Sequence, residues 1–473
     1  MKPRHLRWLL AAVAFTSVSL AAADATKPNI IFILADDLGI GHVGVYGQQK
    51  IKTPHIDAIA AQGMKFQRFY SGANVCAPAR STLMTGLHTG HTAVRNNGLD
   101  RHLYDADVTV AEVLKSAGYA TGGFGKWGLG GPHTPGVAVK QGFDTWFGQY
   151  SQVHAHFYYP YYLMSNLEKF PLPMNEGHQR KRYAHDVIHE KAMEFITRQA
   201  GARRPFFAYL PYILPHVELT APVESWKEYQ GRWPKIALAD PRPGYIGSED
   251  AYAEFAGMVA RLDQHVGQIM ALLKRLNIDD NTIVFFTSDN GPQPGAWKDV
   301  FVDFFDGSAG RRGAKTNFYE GGIRVPLLVR WPGKIKAGSV TDHLGYFPDM
   351  MSTFAELAGV SKAAPKTDGL SIVPTLLGRG DQKRHEFLYW EAASANQTIN
   401  QHAVRWGDWK AVKNAANAKW ELYNVKTDEK ETTNVVDRHT DVMKSIAAII
   451  EREHTPERKY DEGPKEGAGD YVK

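Results

Sequence analysis

Asn29-Ile30-Ile31-Phe32-Ile33-Leu34-Ala35-Asp36-Asp37 is the stretch from which the fold class follows. Its apolar run is short, continuous and β-branched, which is typical of a strand buried on both faces of a parallel sheet. Two carboxylates come directly after the run, at the strand's C-terminal end. Ligands of open α/β sheets bind at that edge, although an Asp there can equally form a polar turn or cap a helix.

The same arrangement returns late in the chain, where Ile283-Val284-Phe285-Phe286-Thr287 leads into Ser288-Asp289-Asn290-Gly291. Helical patterns separate the predicted strands, and they cover residues 53–63, 109–118, 183–199 and 250–276. Alternation of strands and helices predicts an α/β fold with a large, mixed and mostly parallel central sheet flanked by helices. Beyond about residue 380 the pattern changes to short alternating segments, which predict a small C-terminal antiparallel sheet followed by a helix at about 439–453.

The bulk properties indicate an exported globular protein of more than one unit. The 473 residues are too many for one simple core, so we expect a signal peptide at 1–23, a catalytic domain at 24–380 and a C-terminal α+β subdomain at 381–473. Of the net charge of +5, three charges belong to Lys2, Arg4 and Arg7, which leaves 5 − 3 = +2 and gives no case for nucleic-acid binding.

The first two dozen residues have the features of a secretory signal. A basic start precedes the apolar run Trp8 to Leu20, and small residues at 21–25 suit cleavage. An uncleaved anchor is the alternative, but the run is short for a membrane span. We therefore expect a periplasmic or secreted protein without a stable membrane anchor.

Cys76 is the only cysteine, so an exported chain could form no internal disulfide. A lone cysteine is most often a small buried hydrophobe. Here, however, Cys76-Ala77-Pro78-Ala79-Arg80 resembles a strand or loop that turns into a helix N-terminus, with Pro78 in the first turn. Backbone N–H groups, the helix dipole and Arg80 would then form an anion site with a cysteine at its mouth.

The C-x-P-x-R pattern closely resembles the signature of the type I sulfatases. Two further segments resemble motifs of that family: Gly125-Lys126-Trp127-Gly128-Leu129-Gly130, and residues 312–326 around Lys315. The resemblance covers nearly all of the mature chain, in order. It implies an alkaline-phosphatase-like core and a nucleophile, formylglycine (3-oxoalanine), made by oxidation of Cys76.

The hard oxygen ligands Asp36, Asp37, Asp289 and Asn290 suit Ca²⁺, and no cluster of His or Cys favours a transition metal. The resemblance implies that the matured residue 76 joins them at the metal. It also implies that Arg80, Lys126 and Lys315 contact the sulfate, and that His216 protonates the leaving oxygen.

Gly128 departs from the family pattern, because many members have at this position a histidine that helps to orient the nucleophile. The run from Gln152 to Pro160 resembles carbohydrate sulfatases that share this glycine. We therefore expect His154 or His156 to supply the missing group and to contact the substrate, since histidine can donate or accept a proton near neutral pH.

The predicted function is hydrolysis of a sulfate ester on a sulfated saccharide, by an enzyme that depends on a formylglycine-generating or sulfatase-maturating partner. The aromatic residues of 132–183 favour a carbohydrate ligand. One alternative is a phosphonate monoester or phosphodiester hydrolase of the same superfamily. The other is a non-catalytic glycan-binding relative, which the presence of Cys76, Arg80, Lys126, His216 and Lys315 disfavours.

Overall fold

The computed structural model describes residues 27–98, 100–240, 242, 245–393, 399–458 and 460. The predicted signal peptide lies outside the described residues. None of the helices among these residues has the length and the apolar composition that a membrane span requires.

A ten-stranded mixed sheet forms the centre of the molecule, in the order β10-β2-β9-β8-β1-β7-β3-β4-β5-β6. The pairs of β1 with β7 and β8, of β3 with β4 and β7, and of β2 with β10 are parallel. The prediction of a large, mostly parallel sheet is confirmed. Its strands are β1 (Asn29–Ala35), β2 (Met64–Tyr70), β3 (Ala120–Lys126), β4 (Thr145–Gln149), β5 (Tyr162–Ser165), β6 (Glu168–Pro171), β7 (Phe206–Pro211), β8 (Thr282–Ser288), β9 (Leu327–Arg330) and β10 (Ser339–Tyr346).

Helices cover both faces of this sheet, and β1 shows why its apolar run is continuous. Ile31, Ile33 and Ala35 pack into the core on one face, whereas Ile30, Phe32 and Leu34 pack into the core on the other. The helices are α1 (Pro54–Ala61), α2 (Cys76–Thr85), α3 (Val110–Ser116), α4 (Ala184–Gly201), α5 (Val223–Trp226), α6 (Ala251–Arg275), α7 (Glu320–Ile323), α8 (Asp349–Leu357) and α9 (Val373–Leu377).

A four-stranded antiparallel sheet follows, as predicted, with a helix packed on it. It consists of β11 (Phe387–Ala393), β12 (Ile399–Trp406), β13 (Trp409–Lys413) and β14 (Glu421–Asn424), and the helix is α10 (Thr440–Glu453). Trp390 of β11 packs in one buried cluster with Tyr70, Phe318 and Tyr346, which precede the C-terminal sheet in the chain. The boundary at residue 380 stays a prediction.

Candidate active site

The ends of β1 and β8 bring four oxygen-bearing side chains together. These strands pair in parallel with Ala35 opposite Ser288, so Asp36–Asp37 and Asp289–Asn290 leave the same edge side by side. The Asp37 N–H donates to Asp289 Oδ1 at 3.1 Å, and Asn290 Nδ2 donates to Asp37 Oδ1 at 2.7 Å. All four residues are fully buried.

Cys76 is the first residue of α2, and the predicted helix N-terminus is present. Its Sγ donates to Asp36 Oδ1 over 3.4 Å. Asn97 Oδ1 accepts the Ala77 N–H at 2.9 Å, which satisfies one free donor at the start of the helix. Burial, with a contribution from the charge of Asp36, raises the pKa of the Cys76 thiol, so the residue stays protonated and is a weak nucleophile as a thiol.

Three cationic side chains surround these carboxylates. Arg80 contacts Asp36 at 3.2 Å and Asp289 at 2.9 Å, and Lys126 Nζ lies 2.7 Å from Asp36 Oδ2. Lys315 Nζ lies 2.8 Å from Asp37 Oδ2. Each cation comes from a different part of the chain: α2, the end of β3 and the loop before α7.

The carboxylates titrate very differently from one another. Burial alone would raise the pKa of Asp36, but Lys126, His216, Arg80 and Lys315 hold it well below its ordinary value. For Asp289, burial and the neighbouring charge of Asp36 dominate and raise the pKa to about 6. Burial likewise raises the pKa of Asp37, despite its contact with Lys315. In Asp37 and Asp289 the charged form is therefore destabilised, and an added cation would stabilise it.

The donor set fits a hard divalent cation. Asn290 Oδ1 is buried and accepts no hydrogen bond within the part of the chain that the structure describes, although a buried carbonyl oxygen normally has a partner. Ligand atoms of Asp36, Asp37, Cys76 and His216 also lie within 4.8 Å of one another. Carboxylate and amide oxygens are the ligands that Ca²⁺ and Mg²⁺ prefer.

His216 reaches the same cluster from the loop after β7. Its Nδ1–H donates to the Val217 carbonyl, which leaves Nε2 facing Lys315 Nζ at 3.3 Å and Asp37 Oδ2 at 3.4 Å. Burial lowers the pKa of His216 well below its ordinary value, although Asp36 acts in the opposite direction. The ring therefore accepts a hydrogen bond from the Lys315 ammonium.

The structure separates the two histidines that were expected to compensate for Gly128. His154 Nε2 donates to the Tyr162 carbonyl at 3.0 Å. His156 instead stacks on His216, with ring centroids 4.6 Å apart and planes 15° from parallel, and Nδ1 bonds to Tyr245 Oη at 2.7 Å. Only His156 is thereby brought to the cluster.

Sequence reasoning missed Gln152, whose Nε2 occupies the space that a Cβ on residue 128 would need. Gly128 also has φ +76°, in the region that favours glycine. The Gln152 Nε2 is buried and has no hydrogen-bond partner among the described residues. The glycine in the motif was the available signal, but Gln152 lies 24 positions further on (152 − 128 = 24), and in the run to Pro160 the histidines rather than this amide were predicted at the site.

Two family models match the chain. The model described as Sulfatase matches residues 28–360, and the one described as N-sulphoglucosamine sulphohydrolase, C-terminal, matches residues 313–457.

Individual relatives cover most of the chain. N-acetylgalactosamine-6-sulfatase of Canis lupus familiaris is 32% identical over 436 residues, which are 85% of this chain and 76% of that protein. N-acetylgalactosamine-6-O-sulfatase of Bacteroides thetaiotaomicron is 29% identical over 511 aligned positions, which cover 90% of this chain and 93% of that protein. The crystal structure of Ps i-CgsB in complex with k-i-k-neocarrahexaose superposes with a TM-score of 0.77 at 26% identity, covering 92% of this chain and 95% of that one.

Proposed function

This chain belongs to the sulfatase family, and from that premise we propose that it hydrolyses sulfate esters of a saccharide with a nucleophile made from Cys76. The observation that carries the proposal is the buried contact of Cys76 and Arg80 with the carboxylates at the ends of β1 and β8. Fixed charges around a reacting centre stabilise the charge that develops in the transition state. The enzyme is a sulfuric ester hydrolase.

The charges of the cluster favour an anionic substrate. Asp36, Asp37 and Asp289 balance Arg80, Lys126 and Lys315, since 3 − 3 = 0. A bound divalent cation leaves an excess of about two positive charges, which the anionic sulfate group partly neutralises. Arg80, Lys126 and Lys315 are the cations that we expect to contact the sulfuryl oxygens.

Cys76 is proposed as the precursor of formylglycine. The raised pKa of its thiol argues against direct attack by sulfur, because the thiolate is the reactive form of cysteine. The matured side chain would supply the oxygen nucleophile at this position. The start of α2 holds residue 76 in place, and Asn97 fixes that end of the helix through the Ala77 N–H.

Ca²⁺ is the proposed metal, held by Asp36, Asp37, Asp289, Asn290 and the matured residue 76. Such an ion supplies positive charge to the sulfuryl oxygens. The support is Asn290 Oδ1, which has no partner among the described residues, together with the two carboxyl groups whose pKa values are raised.

His216 is proposed to protonate the leaving oxygen of the sugar. Its Nε2 accepts a hydrogen bond from the Lys315 ammonium, so a proton donor lies directly beside the ring. The stacked His156 holds the imidazole plane in position. A resting histidine with a lowered pKa must gain its proton as the substrate's negative charge arrives, and the adjacent ammonium is in position to assist.

The proposed substrate is a sulfated galactose-type sugar, with N-acetylgalactosamine 6-sulfate as the first compound to test. This suggestion rests on the names of the relatives, two of which are N-acetylgalactosamine-6-sulfatases. We further propose that residues 1–23 direct export to the periplasm or medium, where the matured enzyme meets its saccharide.

The test is production of the full chain together with a formylglycine-generating enzyme, followed by mass spectrometry of the peptide that contains residue 76. We expect an aldehyde at that residue and hydrolysis of 4-nitrophenyl sulfate well above that of 4-nitrophenyl phosphate and of a matched phosphonate ester. Cys76→Ala should lower kcat/KM for the sulfate by roughly 10³-fold or more. Lys334→Met, at an exposed position, is the control for handling and folding. Unchanged activity in Cys76→Ala would refute the mechanism.

A further inference from the structure

A cavity of about 560 Å³ is lined by Asn74 and Val75, which precede Cys76, and by residues of β11 and β12 in the C-terminal sheet. Its polar lining consists mainly of side chains that carry no charge. We call it the amide cavity and define it by Asn74, Asn96, Asn97, Thr316, Asn400 and Gln401.

Hydrogen bonds join three wall residues of the amide cavity that come from distant parts of the chain. The Thr316 N–H donates to the Asn74 carbonyl at 2.9 Å, and Gln401 Nε2 donates to the Thr316 carbonyl at 3.1 Å. Asn74 Nδ2 in turn donates to Gln401 Oε1 at 2.7 Å. Asn74 lies two residues before Cys76, and Thr316 directly follows Lys315, so two wall residues of the cavity are close in sequence to two residues of the candidate active site.

Two charged residues also line the cavity, and both are already neutralised. Arg95 Nη1 lies 2.7 Å from Glu391 Oε1, and the other N–H groups of its guanidinium donate to oxygens of Gly90, Thr92 and Thr455. Asp100 accepts from Arg101 Nη1 at 2.7 Å. A second anion in the cavity would therefore find no available cation among the described lining residues.

Thr316 has an unusual backbone conformation in this wall. Its φ is +80°, which is unfavourable for a β-branched residue and costs on the order of 1–3 kcal/mol. The bonds to Asn74 and Gln401 hold this conformation and leave the side chain exposed. Within the part of the chain that the structure describes, neither the Thr316 hydroxyl nor the Asn400 amide has a hydrogen-bond partner.

We propose that the amide cavity binds uncharged hydroxyl or acetamido groups of the saccharide that carries the sulfate, and that it selects against a second anionic group at this place. Amides and a hydroxyl can both donate to and accept from sugar groups. An additional sulfate would lose hydration there without gaining a charged partner. This inference rests on the proposed function and adds a substrate class to it.

The experiment uses hydrolysis of 4-nitrophenyl sulfate by the matured full chain as the reporter. The competitors are N-acetylgalactosamine 6-sulfate and N-acetylgalactosamine 4,6-disulfate, each measured as an inhibition constant at fixed ionic strength. We expect the inhibition constant of the monosulfated sugar to be lower than that of the disulfate by about tenfold or more, because the second sulfate would be buried without a partner. Equal competition, or stronger competition by the disulfate, overturns the inference.

Asn400→Lys then places a cation in the cavity, and Asn417→Lys adds the same charge at an exposed position elsewhere in the C-terminal unit. The preference for the monosulfated sugar should fall by about tenfold in Asn400→Lys and stay unchanged in Asn417→Lys. Thr316→Lys provides a second test if Asn400→Lys does not fold. An unchanged preference in Asn400→Lys and Thr316→Lys refutes the cavity's role. A wild-type enzyme that hydrolyses neither 4-nitrophenyl sulfate nor N-acetylgalactosamine 6-sulfate refutes the proposed function instead.

Discussion

Gln152 Nε2 occupies the position that a side chain on residue 128 would require, and Gly128 leaves that position open with a backbone at φ +76°. The two residues therefore depend on each other, although they lie on separate segments after β3 and β4. The pair also explains the departure from the family motif at residue 128. The space is filled by an amide from elsewhere in the chain, and His156 stacks on His216 of the cluster.

Gly128→Ala should destabilise the protein for two reasons, a positive φ and overlap with Gln152. Gly118→Ala is a matched control, because Gly118 has φ +87° and nothing lies within 4 Å of an added Cβ. We expect Gly118→Ala to cost about 1 kcal/mol and Gly128→Ala about 1 kcal/mol more, measured by urea unfolding. In a Gln152→Ala background, Gly128→Ala should cost no more unfolding free energy than Gly118→Ala. If its additional cost persists there, Gln152 does not fill the space beside residue 128.

Calcium should stabilise the protein through the oxygen ligands at the strand ends. At a calcium concentration of 100 times Kd, the free energy of unfolding should rise by about 2.7 kcal/mol. This rise is measured as a higher Tm, which EDTA should reverse. Asn290→Ala should weaken this response and Asn417→Ala should not, since only the former removes a buried amide oxygen of the cluster.

Calcium binding should also weaken as the pH falls through about 6. Burial and Asp36 raise the pKa of Asp289 to about that value, so protons compete with the metal below it. Calorimetric titrations at pH 5 and pH 7.5 would check this, and equal affinity at both would contradict the proposed ligand role of Asp289.

Lys410 should be essential to the junction between the two sheets. Its Nζ lies 2.9 Å from Glu320 Oε1 of α7 and 3.0 Å from Glu431 Oε1, and all three side chains are buried. Lys410→Met leaves two buried carboxyl groups without this cation and should cost about 3–5 kcal/mol of unfolding free energy. Lys419→Met, at an exposed position, should change it by less than about 0.5 kcal/mol. Similar values for the two variants would show that the buried ion pairs do not hold the junction.

Glu254 of α6 should make stability depend on pH. Burial raises its pKa from the ordinary 4.5 to about 7, and its Oε2 is buried with no hydrogen-bond partner among the described residues. The folded state thus binds this proton more tightly than the unfolded state. Its contribution is fully present below pH 4.5 and is lost as the pH rises through about 7.

Glu254→Gln removes this dependence. Relative to the wild type, the variant should gain about 2–3 kcal/mol of unfolding free energy between pH 4.5 and pH 8 in urea titrations. Glu356→Gln, at an exposed residue, should follow the wild-type curve. A constant difference between Glu254→Gln and the wild type across this range would show that Glu254 titrates normally.

The sequence by itself determined the central strands, the longer helices and the motif residues of the candidate site, but it did not predict β4, β5 and β6 in the aromatic segment 132–183. The apolar runs before Asp36 and Asp289 predict two buried strands, and the parallel pairing of β1 with β8 confirms the inferred sheet. The start of α2 at Cys76 also follows from sequence, because Pro78 and the residues after it favour a helix there. Such patterns are local, since side-chain periodicity and turn residues act within a few positions.

Only the tertiary structure decided which distant side chains meet. Gln152 fills the space beside Gly128. His154 bonds to the Tyr162 carbonyl, whereas His156 stacks on His216. Asn74 bonds to Gln401, which lies 327 positions away in the sequence. None of these pairings leaves a periodic trace in the sequence. They depend on how the loops after separate strands pack at one edge of the sheet, where burial and hydrogen bonding select the neighbours.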